Sequence, residues 1–363
     1  MHKIHVDLGA DSYDIVVANG AIRKLAEFLR PLVAPSRILI ISNSTVFGLY
    51  GDTIREALIP LGCEISADLV EDGEQYKNLA TIEHLLDGMV KARLDRKSVV
   101  VALGGGVVGD MAGFAASIFM RGVPYVQAPT TLLAQVDSSI GGKVGVDHVS
   151  GKNLIGSFHQ PLLVCTDPAL LSTLSARDYR NGLSEVIKYG VIADEGLFSL
   201  LERHIGVLCE RGDGVLTDII KRCCQIKARI IQQDVREITG LRSILNYGHT
   251  IGHAVESVTG YTRYSHGEAV SIGMVAAARI AGILNLVPQG VEQRQEHLLE
   301  SVGLPVKAEG VAMDRVVDAM QLDKKASGGK LKFVVPISIG RGVIRENVPA
   351  EVVERALAEI GAK

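Results

Sequence analysis

Three histidines cluster in one stretch of the chain: His249 and His253 in NYGHTIGH, and His266 in SHGEAV. His249 and His253 are spaced i, i+4, so a helix puts both imidazoles on one face. Glu185, in LSEVIKYG, lies on another helical run, with Lys188 a turn later. Glu185 and two of these histidines make a two-histidine, one-carboxylate set. Three protein ligands leave room for substrate oxygens, as a catalytic Zn²⁺ requires. The HExxH pattern is absent, which excludes the common metalloprotease arrangement. A single histidine on a helix is more often a core or surface residue; three near glycines within 18 residues point to metal. Lys227, Arg242, Lys324 and Lys325 are cations that either clamp an anionic substrate or lie solvated on the surface.

A second chemical centre is the stretch LGGGVVGD, followed by TTLLAQVDSSIGGK and GKNLIG. Gly104, Gly106 and Gly109 satisfy GxGxxG, with Gly105 between the first two. The run before them, SVVVAL, is β-branched and continuous, as in a strand buried on both faces. A helix of small residues, DMAGFAA, is expected to begin at Asp110. Strand, glycine turn and helix N-terminus together place free N–H groups around an anion, so this reads as a phosphate or pyrophosphate site. The acidic residue expected about 20 positions on in a Rossmann unit is missing. A dinucleotide-type turn in a non-standard sheet is the expectation; a tight turn with close helix packing is the alternative. Asn43, at the end of the strand RILIISN, is either a cofactor contact or a helix cap. Glu74 and Lys77, in EDGEQYK, are spaced to hold a ribose and a phosphate, or form a solvated pair. Thr130 and Thr131 either cap a helix or bind a ligand.

The elements that position these groups follow from the pattern. Strands are expected at residues 3–8, 13–18, 37–43, 63–70, 98–103, 123–128 and 163–166, with helices between most of them. Alternating strands and helices imply a mostly parallel, Rossmann-like sheet with helices on both faces. After about Asp167 the texture becomes helical, with runs at 175–189, 195–208, 216–233, 248–259, 267–286, 292–301 and 351–360. A small β-ribbon is expected at 332–335 and 342–344. The reading is an α/β domain over residues 1–167 and a mainly α-helical domain over 168–363. A catalytic cleft between them is the default expectation.

The chain has 363 residues, 47% of them hydrophobic and 22% charged, enough for two domains with sizeable cores. A net charge of −3 without a basic stretch argues against nucleic acid as the main partner. No apolar run reaches membrane-span length, and MHKIHVDLG is strand-like rather than a signal peptide. The five cysteines, Cys63, Cys165, Cys209, Cys223 and Cys224, match neither a disulfide framework nor a zinc knuckle. The adjacent pair is expected on a helix, and the setting is read as reducing and cytoplasmic.

Taken together, DGEQYK, GGGVVGD, RGVPYVQAPTTLLAQVDSSIGGKVGVD, GKNLIGSFHQP, EVIKYG, GLRSILNYGHTIGHAVE, HGEAVSIGM and DKK resemble the 3-dehydroquinate synthase family, in family order across nearly the whole chain. The resemblance implies a dehydroquinate synthase-like fold and a carbon–oxygen lyase acting on 3-deoxy-D-arabino-heptulosonate 7-phosphate, giving 3-dehydroquinate and phosphate in the shikimate pathway. NAD is implied as a catalytic cofactor that oxidises C5 transiently. Phosphate elimination, re-reduction and intramolecular aldol closure follow, and the substrate phosphate itself takes the C6 proton. A divalent metal, Zn or Co, and a homodimer are also implied. The metal ligands would be Glu185, His249 and His266, leaving His253 to the substrate and proton-relay shell. Asp137, Lys143 and Lys188 would contact substrate hydroxyls or the metal region, with Lys143, Lys227 and Arg242 suited to the carboxylate. Asn153, Asn246, His253, Lys324 or Lys325, and Arg121 from the neighbouring subunit would surround the phosphate. Asn43, Glu74, Lys77, Gly105, Gly106, Asp110, Thr130, Thr131, Asp137 and Lys152 would bind NAD.

Glu237 falls among the catalytic groups, but the family often reads RExGLR where this chain has two residues between Glu237 and Gly240. Other sugar phosphate cyclases, of the 2-deoxy-scyllo-inosose or valiolone type, share the fold and cofactors; Arg242 with Lys227 favours a carboxylated substrate, which those lack. A metal-dependent polyol dehydrogenase would release NADH, and a non-catalytic NAD-binding regulator would not need the Glu185, His249 and His266 set.

Overall fold

In this computed structural model residues 1–326 and 331–363 are described, without the side chains at 213 and 322–326; the side chains of Lys324 and Lys325 thus lie outside the described residues. The chain forms two compact units. One comprises Met1–Leu174 and Leu216–Arg236; the other comprises Ser175–Val215 and Glu237–Lys363.

The first unit contains β1 (His2–Val6), β2 (Tyr13–Val17), α1 (Leu25–Leu29), β3 (Arg37–Asn43), α2 (Ser44–Leu58), β4 (Glu64–Val70) and α3 (Leu79–Lys91). It continues with β5 (Val99–Gly104), α4 (Gly106–Ile118), β6 (Tyr125–Pro129), β7 (Lys143–His148), β8 (Gly151–Phe158) and β9 (Leu163–Thr166). Seven strands form one sheet in the order β1-β2-β9-β6-β5-β3-β4. Only the β1–β2 pair is antiparallel. The continuous apolar runs are explained by burial on both faces. Ile38, Ile40, Val99, Val101 and Leu103 pack on one side, and Leu39, Ile41, Val100 and Ala102 on the other. The period-2 alternation of a strand sends neighbouring residues to opposite cores.

From β3 the chain moves outward to β4, then returns to place β5 on the other flank of β3. The order therefore reverses between β3 and β5, and ligands of open α/β sheets bind beyond the strand ends at such a point. Asn43 ends β3 and Gly104 ends β5. β7 and β8 form a separate antiparallel hairpin that the sequence pattern does not announce. Its strands approach closely at Gly145 and Gly156, where an added Cβ would collide with the opposite backbone.

The remaining elements are α5 (Ala176–Ala193), α6 (Glu195–Cys209), α7 (Asp213–Gln233), α8 (His249–Val258), α9 (His266–Ile283), α10 (Val291–Ser301), α11 (Met313–Ala326), β10 (Lys332–Ser338), β11 (Arg341–Glu346) and α12 (Ala350–Glu359). Most of α7 groups with the first unit. The others form the second, mainly helical unit, with β10–β11 as an antiparallel ribbon. Helices α8 and α9 pack backbone to backbone: a Cβ at Gly273 would strike the carbonyl oxygen of Gly248, and one at Gly252 would lie 3.0 Å from that of Ala269. No helix among the described residues is long and apolar enough to cross a membrane.

Candidate cofactor turn and metal centre

In the first unit, α4 begins at Gly106, four residues before the expected start, so Asp110 lies on its second turn. Gly105 is the extended N-cap residue and carries no side chain to cap with. The amide of Gly109 already bonds the Gly105 carbonyl at 3.0 Å. The amides before it belong to the first turn, which has no intrahelical acceptor for them. A Cβ at Gly106 would sit 2.8 Å from the Ser138 hydroxyl, a buried oxygen without a hydrogen-bond partner. The turn thus combines a bare backbone, a helix N-terminus and an unsatisfied hydroxyl, the features an anionic cofactor group would use. Ser138 is a functional candidate that the sequence motifs do not single out, although it directly follows Asp137 in TTLLAQVDSSIGGK.

Several expected cofactor residues meet beside this helix. Lys77 Nζ donates to Asp110 Oδ2 and to Asn153 Oδ1, both at 2.6 Å. Burial opposes the Lys77 charge, but Asp110 and then Glu74 outweigh it and raise its pKa. Burial dominates at Asp110 and raises its pKa despite Lys77. Lys152 lies 3.8 Å from Glu74. Asn153, expected at the phosphate, is held at φ 54° while its amide donates to Asp147 Oδ1 at 2.7 Å. Asn43 caps α2, accepting from Val46 N–H at 2.8 Å, and donates to Asp72 Oδ1 at 2.9 Å. The Thr131 hydroxyl accepts from Ala134 N–H at 3.2 Å, and the Thr130 amide donates to the Gly104 carbonyl at 2.9 Å. Lys227, on α7, is buried and bonds both the Asp137 carboxylate (2.9 Å) and its carbonyl (2.6 Å). Lys143 and Arg121 are exposed, Arg121 with a left-handed φ of 69°.

In the second unit, Glu185 on α5 is fully buried, and neither carboxylate oxygen accepts a well-formed hydrogen bond. Lys188 forms an ion pair with its Oε2. The Nε2 atoms of His249 and His266 both face Glu185 Oε1, at 3.7 and 3.8 Å. Ligand atoms of a tetrahedral ion with bonds of about 2.1 Å stand about 3.4 Å apart, so small movements would close this set. A buried carboxylate whose Oε1 accepts no hydrogen bond and two imidazoles convergent on that oxygen fit a divalent metal; these three residues would hold it. His249 Nδ1 lies 3.0 Å from the Tyr247 carbonyl, which makes Nδ1 the protonated nitrogen and leaves the Nε2 lone pair free. Burial, then the Lys188 charge, keeps His249 well below the ordinary imidazole range, hence neutral. His266 opens α9, where Glu268 accepts from the Ser265 amide at 2.8 Å and from Arg177 at 2.7 and 3.0 Å. The ring of exposed His253 lies 5.2 Å from that of His249 and 5.9 Å from that of His266.

Arg242 is buried, and its Nε lies 3.9 Å from Glu237 Oε1. In this loop Glu237 (φ 55°) and Gly240 (φ 81°) are left-handed and Ile238 projects into solvent. Asn246 is exposed at the end of the 3₁₀ segment Leu241–Asn246.

Solved structures of the same architecture include 2-epi-5-epi-valiolone synthase from Streptomyces hygroscopicus with NAD+ and Zn2+ bound, at TM-score 0.88 and 31% identity over 96% of both chains. Another is 2-deoxy-scyllo-inosose synthase complexed with carbaglucose-6-phosphate, NAD+ and Co2+, at TM-score 0.89 and 26% identity over 99% of this chain and 100% of that one. Fold and site together place the chain in the class of sugar phosphate cyclases. Residues 68–181 match the 3-dehydroquinate synthase N-terminal family model, and residues 182–326 match the 3-dehydroquinate synthase C-terminal model. The chain is 47% identical over 356 residues to 3-dehydroquinate synthase of Picosynechococcus sp., covering 97% of each. It belongs to the 3-dehydroquinate synthase family.

Proposed function

We propose that this chain converts 3-deoxy-D-arabino-heptulosonate 7-phosphate to 3-dehydroquinate and inorganic phosphate, with NAD and a divalent metal, Zn or Co, as a cytoplasmic homodimer in the shikimate pathway. The observation that carries the reading is the buried Glu185 carboxylate facing the Nε2 atoms of His249 and His266. The chain that carries it is 47% identical to a relative named 3-dehydroquinate synthase. Bound there, the metal would supply a Lewis acid for substrate oxygens. NAD, at the Gly105–Gly106 turn with Asn43, Glu74, Lys77, Asp110, Thr130, Thr131 and Lys152, would supply a reversible hydride acceptor.

The remaining steps fall to the chain's own side chains. Lys227 and Arg242 bind the substrate carboxylate, and their burial makes such a charge-assisted contact stronger than a surface one. Asp137, Lys143 and Lys188 orient the hydroxyl groups. Asn153, Asn246, His253 and the Lys324–Lys325 pair bind the phosphate, and His253 relays protons near it. Glu237 acts through Arg242, holding its guanidinium in place. Arg121 reaches the phosphate of the neighbouring subunit. Its exposure, close in the chain to exposed Ile118 and Met120, supports a dimer contact there. The cytoplasmic assignment rests on five cysteines without disulfides.

A substrate panel tests the reading. The carboxylated heptulosonate phosphate should be cyclised, with 3-dehydroquinate seen by NMR, and hexose or heptose phosphates without a carboxylate should not. Turnover confined to the uncarboxylated sugars would assign the chain to a different cyclase activity.

A further inference from the structure

His266 presents two different faces. Its Nε2 looks toward Glu185, while its Nδ1 lies 3.3 Å from Oε2 of Glu256. Glu256 is buried at 2% exposure on α8, spaced i+7 from His249 and i+3 from His253, so helix geometry sets it on the same face. His249 and His266 thus share one arrangement, Nε2 inward and Nδ1 against an acceptor, but the acceptors differ. His249 has the Tyr247 carbonyl, which belongs to its own chain segment. His266 is the first residue of α9 and its Nδ1 faces a carboxylate from another helix.

We infer that Glu256 is the positioning residue of His266: its carboxylate accepts the Nδ1 proton, fixes the ring and directs the Nε2 lone pair at the Glu185 site. Carboxylates behind ligating histidines hold the tautomer and raise ligand basicity, and losing one typically costs about 10–100-fold in metal affinity. The alternative is that His253, Glu256 and His266 are themselves a ligand group, since their donor atoms also converge. The orientation argues against it. Both Nε2 atoms aim at one oxygen of Glu185, whose two oxygens accept no well-formed hydrogen bond, and His253 is exposed. The inference rests on the metal reading above and extends it to a residue outside the ligand set.

The test uses the full-length chain and Zn²⁺ alone, with affinity measured by chelator competition. Glu256→Ala should weaken zinc by about 10–100-fold while one ion per chain still binds at saturation. Glu256→Gln, which keeps an acceptor oxygen, should lose less. Nitrogen-15 histidine spectra of the apo protein supply a readout that general destabilisation does not mimic. The His266 Nδ1–H signal, assigned by its loss in His266→Ala, should be present in the wild type and in Glu256→Gln and absent in Glu256→Ala. If the alanine variant does not fold, the glutamine variant decides: a retained signal supports the inference and a lost one overturns it. Unchanged zinc affinity in Glu256→Ala overturns it, as does a wild-type His266 protonated at Nε2. Loss of zinc equal to that of His266→Ala would make Glu256 a ligand and also overturn it. A wild-type chain that binds no zinc would instead defeat the functional reading itself.

Discussion

Lys77 and Asp110 form an ion pair, Nζ to Oδ2 at 2.6 Å, with the lysine buried and the carboxylate partly buried, that ties the DGEQYK loop to the second turn of α4. Replacing Lys77 by Met leaves a partly buried carboxylate without its charge partner, a loss below the ~3–5 kcal/mol of fully buried pairs broken from one side. A drop in thermal midpoint is expected, with much of it recovered when Asp110→Leu is added. A Lys77→Met chain as stable as the wild type would show the pair to be solvated.

Gly106 is bare where the Ser138 hydroxyl stands without a partner. Gly106→Ala puts a methyl group into that space at the first residue of a helix, where alanine is otherwise the better helix former. Stability should hold or rise while NAD affinity, read by fluorescence titration, falls about tenfold, the equivalent of one lost hydrogen bond to a charged group. Wild-type NAD affinity would place the cofactor elsewhere.

His249, His253 and His266 stood out in the sequence because they fall within 18 residues, and Gly104 to Gly109 because they form one short motif. Glu185, on α5, lies far earlier in the chain and meets His249 and His266 only through tertiary packing. The strands of the parallel sheet were legible from continuous apolar runs such as residues 38–41 and 99–103, whose neighbours alternate between two cores. Their order was not, because nothing in a buried strand states which neighbour it pairs with. The β7–β8 hairpin escaped because Gly145 and Gly156 replace side chains with close backbone approach, which erases the period-2 signal. The meeting of Lys227 with Asp137 was not legible from spacing, since it joins α7 to a segment far earlier in the chain. The two residues after Glu237 left its place open in the sequence; Ile238 is exposed and Glu237 Oε1 stands 3.9 Å from Arg242 Nε.

Asp14 on β2 faces His5 across the β1–β2 ladder and bonds both Lys3 (2.8 Å) and His5 (2.9 Å). Burial pushes its pKa up, but the hydrogen bonds from Lys3 and His5 outweigh this and hold it below the ordinary carboxylate value. A depressed folded pKa contributes stability above the unfolded pKa, about 3.9, and loses it as pH falls through the folded value. Asp14→Asn should therefore lower the thermal midpoint of the apo chain at pH 6, and the gap should close as pH drops below 4. A gap that stays constant with pH would remove the carboxylate charge as its cause.

Arg242 is buried beside Glu237, an arrangement that holds a guanidinium fork ready for a second carboxylate. Arg242→Ala should raise KM for the heptulosonate phosphate by about 10–100-fold, the cost of about 1.5–3 kcal/mol for a charged hydrogen bond. NAD affinity should stay unchanged. Arg242→Lys should fall between, keeping charge without the fork. An unaltered KM in Arg242→Ala would take the substrate carboxylate away from this residue.

The most direct measurement follows phosphate release from the heptulosonate phosphate and NADH absorbance in one cuvette, after chelation and then with Zn²⁺ or Co²⁺ and NAD⁺ restored. The account predicts no phosphate from the chelated chain, full release on metal addition, no NADH build-up, and almost no recovery in His266→Ala. Metal-independent phosphate release, or NADH accumulating without phosphate, would contradict it.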